Sequence, residues 1–282
     1  MKIIEPIKRI LLLAAAIWTA LTAAACGKRD PSALTVTFID VGKGDCILAE
    51  CGGCTLMIDT GFSETAENVL AHLSDHGIKK LDAMIITHYD KDHVGGAAEI
   101  AESIPVSQIY LPDYKGRGSE YKSLVKVINK NGISANTVSQ DTVFSLGGVE
   151  YTVLASDIAY DSSGKEGNDN DVSLVVSAVH GNDSYLFAGD IEKDGIKSLL
   201  NKLERKYDVL KMPHHGRKAG NTEKLIAAVG AKIAVITDSE DDPADKKVLS
   251  LLSETEVLRS AVSGDITIES RGNGEYGVSA EK

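Results

Sequence analysis

The feature that most constrains this chain is a dense run of metal-binding residue types, Thr87-His88-Tyr89-Asp90-Lys91-Asp92-His93-Val94-Gly95-Gly96. Four potential ligands lie within six residues, directly after a short apolar segment at 83–86 that is typical of a buried strand. Carboxylates and imidazoles packed this densely are costly unless a cation compensates them. A solvated acidic loop would need neither a histidine at both ends nor a Gly-Gly pair, which lets backbone segments approach closely. The run therefore predicts a metal-binding loop at the end of a strand.

Hydrophobic periodicity places this loop in a chain of alternating strands and helices. Hairpins are predicted at 46–58, 142–154 and 172–189, and helix–strand units follow each set of hairpins. Predicted helices lie at 63–76, 96–103, 119–130, 192–203, 221–228 and from 244 onward, and strands at 34–39, 83–86, 108–111, 207–212, 233–237 and 257–279. Periodicity alone leaves α/β and α+β open. Two halves of the same kind predict two sheets packed face to face with helices outside, an αββα sandwich.

The hairpin at 172–189 indicates which other polar residues lie near Asp190. Its turn falls near Gly181-Asn182, so its two outer ends lie together. Asn170 and Ser173 are therefore expected at the same rim as Asp190. His180 is expected roughly 20 Å away, at about 3.3 Å per residue, which makes it a poor ligand candidate.

Four segments together resemble one known family. The run from His88 to His93 resembles the His-x-His-x-Asp-His signature of the metallo-β-lactamase superfamily, with Asp90 in place of the second histidine. Residues 38–45 and 208–216 resemble the hydrolase domain at the C-terminus of the DNA-uptake protein ComEC, and 57–61 resembles the superfamily's first motif. The resemblance covers nearly all of 34–282 and implies the α/β metallo-β-lactamase fold. The membrane-channel part of ComEC-type proteins is absent from the resemblance.

The resemblance implies a role for each residue of a site with two divalent metal ions. His88 and Asp90 would bind the first metal, Asp92 and His93 the second, and Asp92 would also act in catalysis. Asp190 would bridge both metals, and His214 would complete the second. His215 would face the substrate as a hydrogen-bond donor or acid, or else act as a brace. Asp59 and Asp40 would hold the ligands from behind.

The first metal departs from the family pattern because no spare histidine is available for it. Asn170 or Ser173 would supply an oxygen or hold a water; the alternative is a strand-edge turn rich in Asn and Asp. Oxygen ligands suit Mn²⁺ or Mg²⁺, and imidazole suits Zn²⁺. We therefore expect Mn²⁺, or Zn²⁺ in one half of the site.

The N-terminal residues predict export and a lipid anchor. Lys8 and Arg9 precede an apolar run that ends in small residues before Cys26, which fits a signal peptide at 1–25 and resembles a bacterial lipobox. Cys26 would be lipidated, 26–33 would be a tether, and 34–282 the hydrolase domain. The alternative is a plain signal peptide. Cys51 and Cys54 flank a turn, and whether they form a disulfide is left open.

These features predict a metal-dependent phosphodiesterase outside the cytoplasmic membrane. ComEC-type domains imply a nuclease on DNA; an esterase for the choline-phosphate of teichoic acid is the second reading. A non-catalytic module that holds metals or DNA is the third, and no protein partner is inferred. The net charge of −11 supplies no bulk basic face for nucleic acid and slightly favours a small or wall-bound substrate.

Overall fold

The computed structural model describes residues 30–160 and 168–282, and its strands form two mixed sheets. The strands of the first sheet, numbered along the chain, are β1 (Leu34–Phe38), β2 (Ile47–Cys51), β3 (Cys54–Ile58), β4 (Ala83–Ile85), β5 (Gln108–Pro112), β6 (Ser134–Val138), β14 (Ile266–Ser270) and β15 (Tyr276–Ala280). Their order in the sheet is β15-β14-β1-β2-β3-β4-β5-β6. Neighbours are antiparallel from β15 to β3 and parallel from β3 to β6.

The strands of the second sheet are β7 (Thr142–Leu146), β8 (Val149–Leu154), β9 (Val175–His180), β10 (Asp183–Phe187), β11 (Val209–Lys211), β12 (Ile233–Ile236) and β13 (Glu256–Arg259). Their order in the sheet is β13-β12-β11-β10-β9-β8-β7. Neighbours are parallel from β10 to β13 and antiparallel from β7 to β10.

Helices cover the outer face of each sheet, which gives the four-layer αββα sandwich predicted from the sequence. The helices are α1 (Ala66–Asp75), α2 (Lys91–Val94), α3 (Ala97–Ser103), α4 (Ser119–Asn131), α5 (Asn168–Asp171), α6 (Lys193–Lys202), α7 (Thr222–Val229), α8 (Lys246–Leu251) and α9 (Ser260–Ser263). One apolar cluster fills the space between the sheets, and one lies between each sheet and its helices. The fold prediction is therefore confirmed.

Alternating side chains explain how one strand serves two of these clusters. Ile47 and Ala49 of β2 join the cluster between the sheets, whereas Leu48 joins the cluster under the helices. In α4, Leu124, Val127 and Ile128 are buried at the i, i+3, i+4 spacing of a helix face.

The parallel strands of both sheets deliver polar residues to one edge of the sandwich. Asp59 follows β3 and His88 follows β4 in the first sheet, while Asp190 follows β10 and Thr237 follows β12 in the second. Carboxyl ends of parallel strands lie at the same edge of a sheet, and such edges are where α/β proteins bind ligands. Stacking the two sheets places these residues opposite one another.

Several predictions differ from the structure or lie outside it. Strand β6 was not predicted, and residues 172–174 precede β9 as loop instead of belonging to it. The signal peptide and Cys26 lie outside the described residues. Cys51 and Cys54 pair across the β2–β3 turn as free thiols. Within the described residues, no helix combines the length and apolar character needed to cross a membrane.

Candidate metal centre

The loop after β4 is held by close backbone packing. A Cβ on Gly95 would collide with the Lys91 carbonyl oxygen and lie 2.6 Å from Ser63 N, so only glycine fits there. The amide and the hydroxyl of Thr60 both donate to His93 O at 2.8 Å. These contacts fix the short helix α2, which carries Asp92 and His93.

Four side chains from three separate segments converge on one point. The ligand atoms of Asp92, His93, Asp190 and His215 all lie within 4.8 Å of one another. Asp190 Oδ2 lies 3.3 Å from His93 Nε2 and 3.1 Å from His215 Nε2. Asp92 Oδ2 lies 3.3 Å from His215 Nε2. A tetrahedral ion with bonds of about 2.1 Å separates its ligand atoms by about 3.4 Å, so these spacings suit one cation.

His88 and Asp90 lie beside this cluster, on its more open side. The His88 and His93 rings are 4.1 Å apart between centroids. His88 Nε2 is 3.7 Å from Asp90 Oδ2, and the Asp90 side chain is 46% exposed whereas His88 is fully buried. The predicted ligands of the first metal are thus adjacent to those of the second.

Asp59 is placed where a brace for the ligand loop was expected. It is fully buried and has a left-handed backbone, with φ of 56°. Its Oδ2 accepts from His93 Nδ1 at 2.8 Å and from the Thr87 hydroxyl at 2.7 Å, and its Oδ1 accepts from Thr87 N at 2.8 Å. One carboxylate therefore orients the segment that carries both His88 and His93.

The two consecutive histidines exchange the positions expected from the family resemblance. His215, which was expected to face the substrate, is 1% exposed and points its Nε2 at Asp92 and Asp190. His214, expected as the ligand, lies with Nε2 4.0 Å from Asp190 Oδ2 and Nδ1 2.9 Å from Glu192 Oε1. Both residues and Gly216 have positive φ, at 47°, 51° and 77°. At this left-handed turn the His215 ring points into the cluster, and the conformation costs roughly 1–2 kcal/mol per non-glycine residue.

Asp45 takes the bracing position that was expected for Asp40. The Asp40 carboxylate accepts from Gly42 N at 3.1 Å and lies 3.6 Å from Lys282 Nζ. Asp45 is 1% exposed and forms a salt bridge with the fully buried Lys211. Lys211 Nζ also donates to Gly189 O at 3.1 Å and lies 3.5 Å from Asp190 Oδ1.

Thr237 also reaches the site, because its hydroxyl donates to Asp45 Oδ1 at 2.6 Å and lies 3.1 Å from His215 Nδ1. Lys211 and Thr237 were missed in the sequence because neither stands in a ligand-like pattern. Lys211 was visible only as a charged residue inside an otherwise apolar strand, three positions before His214. Lysine is almost never fully buried unless it is paired, so that placement was a usable signal.

Asn170 and Ser173 lie at the predicted rim and are buried, at 9% and 1% exposure. Among the described residues, Asn170 Oδ1 and Ser173 Oγ are buried atoms that make no hydrogen bond. Leu174 N donates to Thr87 O at 2.9 Å, which ties this segment to the one carrying His88. Asp169 is a further acidic group here: burial and the charge of Asp90 raise the pKa of Asp169.

The charges of the cluster hold protons on its imidazoles. Burial lowers the pKa of His93, but the carboxylates of Asp190 and Asp59 outweigh burial and raise that pKa well above its usual value. The pKa of His215 is raised against burial in the same way, chiefly by Asp190. Burial would raise the pKa of Asp190, yet His215, His93 and Lys211 hold it well below its usual value. A cation that binds here displaces protons from these imidazoles.

The unpaired atoms test whether the residues fit a metal. Within the described residues, Nε2 of His88, His93 and His215 are all buried and make no hydrogen bond. Buried polar atoms normally have hydrogen-bond partners, and a buried polar atom without one lowers the stability of the fold. Two of these nitrogens, on His93 and His215, face Asp190 Oδ2 at 3.3 and 3.1 Å without hydrogen-bond geometry. Three imidazoles beside three carboxylates form a donor set that suits Zn²⁺ or Mn²⁺.

Comparison with known proteins relates the chain to a large family and to proteins much longer than itself. Residues 39–237 match the family model described as the metallo-beta-lactamase superfamily. ComE operon protein 3 of Bacillus subtilis is 31% identical over 257 residues, which is 82% of this chain and 32% of that protein. Competence protein ComA of Neisseria gonorrhoeae is 27% identical over 203 residues, or 71% of this chain and 26% of that protein. The chain thus spans between a quarter and a third of the length of these relatives.

A solved structure shares the architecture at low sequence identity. The metallo-beta-lactamase fold protein YhfI of Bacillus subtilis is similar with a TM-score of 0.51, over 80% of this chain and 96% of YhfI. The two sequences are 14% identical, so the likeness concerns the fold alone.

Proposed function

Because the chain belongs to the metallo-β-lactamase superfamily and is ComEC-like in sequence, we propose that it is a two-metal phosphodiesterase. Superfamily members are mostly metal-dependent hydrolases, and the cluster around Asp190 is a candidate metal site. The observation that carries the proposal is the convergence of Asp92, His93, Asp190 and His215 on one largely buried point, where their ligand atoms lie within 4.8 Å of one another.

Each metal has its own set of ligands in this proposal. His88 and Asp90 would hold the first metal, with Asn170 or Ser173 beside it. Asp92, His93 and His215 would hold the second, and Asp190 would be shared between the two. Asp90, Asp92 and Asp190 together carry a charge of −3, which offsets most of the +4 of two divalent cations.

The protein positions a proton acceptor beside the metals. Two bound divalent cations supply a nucleophile from water at neutral pH and stabilise charge on a phosphoryl oxygen. Glu192 Oε1 lies 2.9 Å from His214 Nδ1, and His214 Nε2 lies at the mouth of the site, 4.0 Å from Asp190 Oδ2. Burial lowers the pKa of His214, and the charges of Asp190 and Glu192 oppose that effect only in part. His214 Nε2 therefore accepts the proton that the attacking water gives up, and then donates it to the leaving oxygen.

Cations beside His214 favour an anionic substrate. Arg217 N donates to His214 O at 2.8 Å, and the positive charge of Lys43 contributes to the lowered pKa of His214. Both side chains pair with one carboxylate, that of Asp242, at 2.7 and 3.0 Å, and the Glu192 carboxylate beside His214 offsets the remaining positive charge. Lys43 and Arg217 are the cations at the mouth that a phosphodiester would contact.

DNA outside the cytoplasmic membrane is the first substrate we propose. The relatives ComE operon protein 3 and competence protein ComA suggest an envelope-associated role, which supports a substrate outside the cytoplasmic membrane. The second candidate is a cell-wall phosphodiester such as teichoic acid choline-phosphate, because a net charge of −11 repels long DNA. Lipid anchoring through Cys26 stays a prediction.

Turnover of bis-p-nitrophenyl phosphate tests the proposal. We expect chelated protein to be inactive and to regain most activity with Mn²⁺, since the first site is rich in oxygen ligands. DNA and teichoic acid are then compared as substrates under the same metal. Protein that binds two equivalents of metal but hydrolyses none of these substrates would be a non-catalytic metal-binding module.

A further inference from the structure

Two matching chains of hydrogen bonds lie behind the metal centre. The first lies within the first sheet and runs from Asp59 through the Thr87 hydroxyl to His88 Nδ1, at 2.7 and 3.1 Å. The second links the two sheets and runs from Asp45, just before β2, through the Thr237 hydroxyl, just after β12, to His215 Nδ1, at 2.6 and 3.1 Å. Each threonine follows the end of a parallel strand, β4 or β12. We call these Asp–Thr–His chains the first and second relay.

The direction of each hydrogen bond follows from its carboxylate. An ionised carboxylate only accepts, so the single hydroxyl proton of Thr237 goes to Asp45 Oδ1. The hydroxyl oxygen of Thr237 is then left as an acceptor for Nδ1–H of His215. A neutral imidazole with its proton on Nδ1 has its lone pair on Nε2. The same reasoning assigns Nδ1–H to His88 through Thr87.

Lys211 secures the charge on which the second relay depends. Its ammonium group pairs with Asp45 Oδ2, which leaves Oδ1 for Thr237. The same ammonium group lies 3.5 Å from Asp190 Oδ1, so Asp190 presents Oδ2 to the imidazoles.

We propose that Thr237 is a positioning residue: with Asp45 and Lys211 it holds His215 in the Nδ1–H form, with Nε2 free to bind a divalent metal. Thr87 does the same for His88 through Asp59. The inference rests on the metal site of the proposed function and on no feature of its substrate. Partners of this kind fix the orientation of a ligand, and their loss typically costs 10–100-fold in metal affinity.

Thr237→Val tests the relay because valine keeps the shape of threonine and removes the hydroxyl. Zn²⁺ affinity is measured by competition with a chromophoric chelator, in the absence of substrate. We expect one of two metal equivalents to weaken by about 10–100-fold, and Thr237→Ser to restore it. Thr87→Val should weaken the other equivalent instead. The control is Thr37→Val, which removes a buried hydroxyl that pairs with Thr267 at 3.1 Å outside the cluster.

A second measurement requires no threonine variant. Long-range ¹H–¹⁵N spectra of the Zn²⁺-loaded protein, labelled at its seven histidines, should show a proton on Nδ1 of His215, whose signal is identified by its loss in His215→Asn. A proton on Nε2 of His215 would overturn the proposal, as would Thr237→Val with the affinities of Thr37→Val. Melting curves of the metal-free variants separate a loss of folding from a loss of affinity. Because these assays contain no phosphodiester, a failure of the proposed hydrolysis leaves their outcome unchanged.

Discussion

Replacing His214 and His215 one at a time tests the left-handed turn that exchanges their positions. In the structure, only His215 has its Nε2 within 3.1–3.3 Å of two carboxylates of the cluster, whereas His214 Nε2 is 4.0 Å from Asp190 and its Nδ1 is paired with Glu192. We therefore expect His215→Ala to lose metal and His214→Ala to keep it.

The magnitude follows from the number of ligands. Four-ligand zinc sites in peptides bind with about 10–16 kcal/mol, so one ligand accounts for about 3 kcal/mol, or about a hundredfold in affinity. His215→Ala should weaken one metal equivalent by at least that factor. His214→Ala should change either affinity by less than about fivefold, or 1 kcal/mol.

Activity and metal content together distinguish the two roles. His214→Ala should retain two metal equivalents and still lose about a hundredfold or more of turnover, because it removes the proton acceptor at the mouth. Elemental analysis, Zn²⁺ titration and bis-p-nitrophenyl phosphate turnover measure these quantities on the same samples. If His214→Ala releases a metal while His215→Ala retains both, the reasoning from the backbone is refuted and the arrangement expected from the family resemblance stands.

Three further predictions concern the bridge, the pH and the anchor. Asp190→Asn should lower metal affinity and reduce turnover at least about a hundredfold, while the chain still folds with a lower melting temperature because the buried ion pairs of Asp190 are lost; near-normal turnover with two metals would contradict the bridging role. The raised pKa values of His93 and His215 stabilise the metal-free protein fully below about pH 6.5, and this contribution is lost as pH rises through the folded-state values. The lowered pKa of Asp190 stabilises the folded protein above about pH 4, and this contribution is lost as the pH falls. The melting temperature in the presence of a chelator should therefore be highest between about pH 4 and 6.5. Saturating Zn²⁺ should remove the decline above that window, and a metal-free melt that instead rises toward pH 8 would contradict the assignment. Cys26→Ser should release the protein into the medium or leave it unprocessed, as fractionation and a mass measurement will show; a normally processed, membrane-bound variant would exclude lipidation.

Local spacing determined much of this protein. His88, Asp90, Asp92 and His93 lie within six residues after a buried strand, so no long-range contact is needed to bring them together. The hairpin at 172–189 likewise predicts its own geometry, because two antiparallel strands with a short turn must return to the same rim. Asn170, Ser173 and Asp190 do lie in segments that reach the site, and His180 lies beside Cys51 instead, with Nε2 3.9 Å from Sγ.

The tertiary structure alone decided which residues face each other across the two sheets. Asp45 and Thr237 are 192 residues apart in the chain and meet only because β12 of one sheet stacks against the start of β2 in the other. Whether His214 or His215 points inward depends on a left-handed turn, which residue type does not reveal because both positions are non-glycine. The sequence shows only that Lys211 is a charged residue in an apolar strand. Its burial against Asp45 and Asp190 in the structure explains why the strand carries a lysine. The ligands that lie in one local run could therefore be predicted from the sequence. Their orientation could not, because it depends on contacts between distant segments that only the packing of the two sheets brings together.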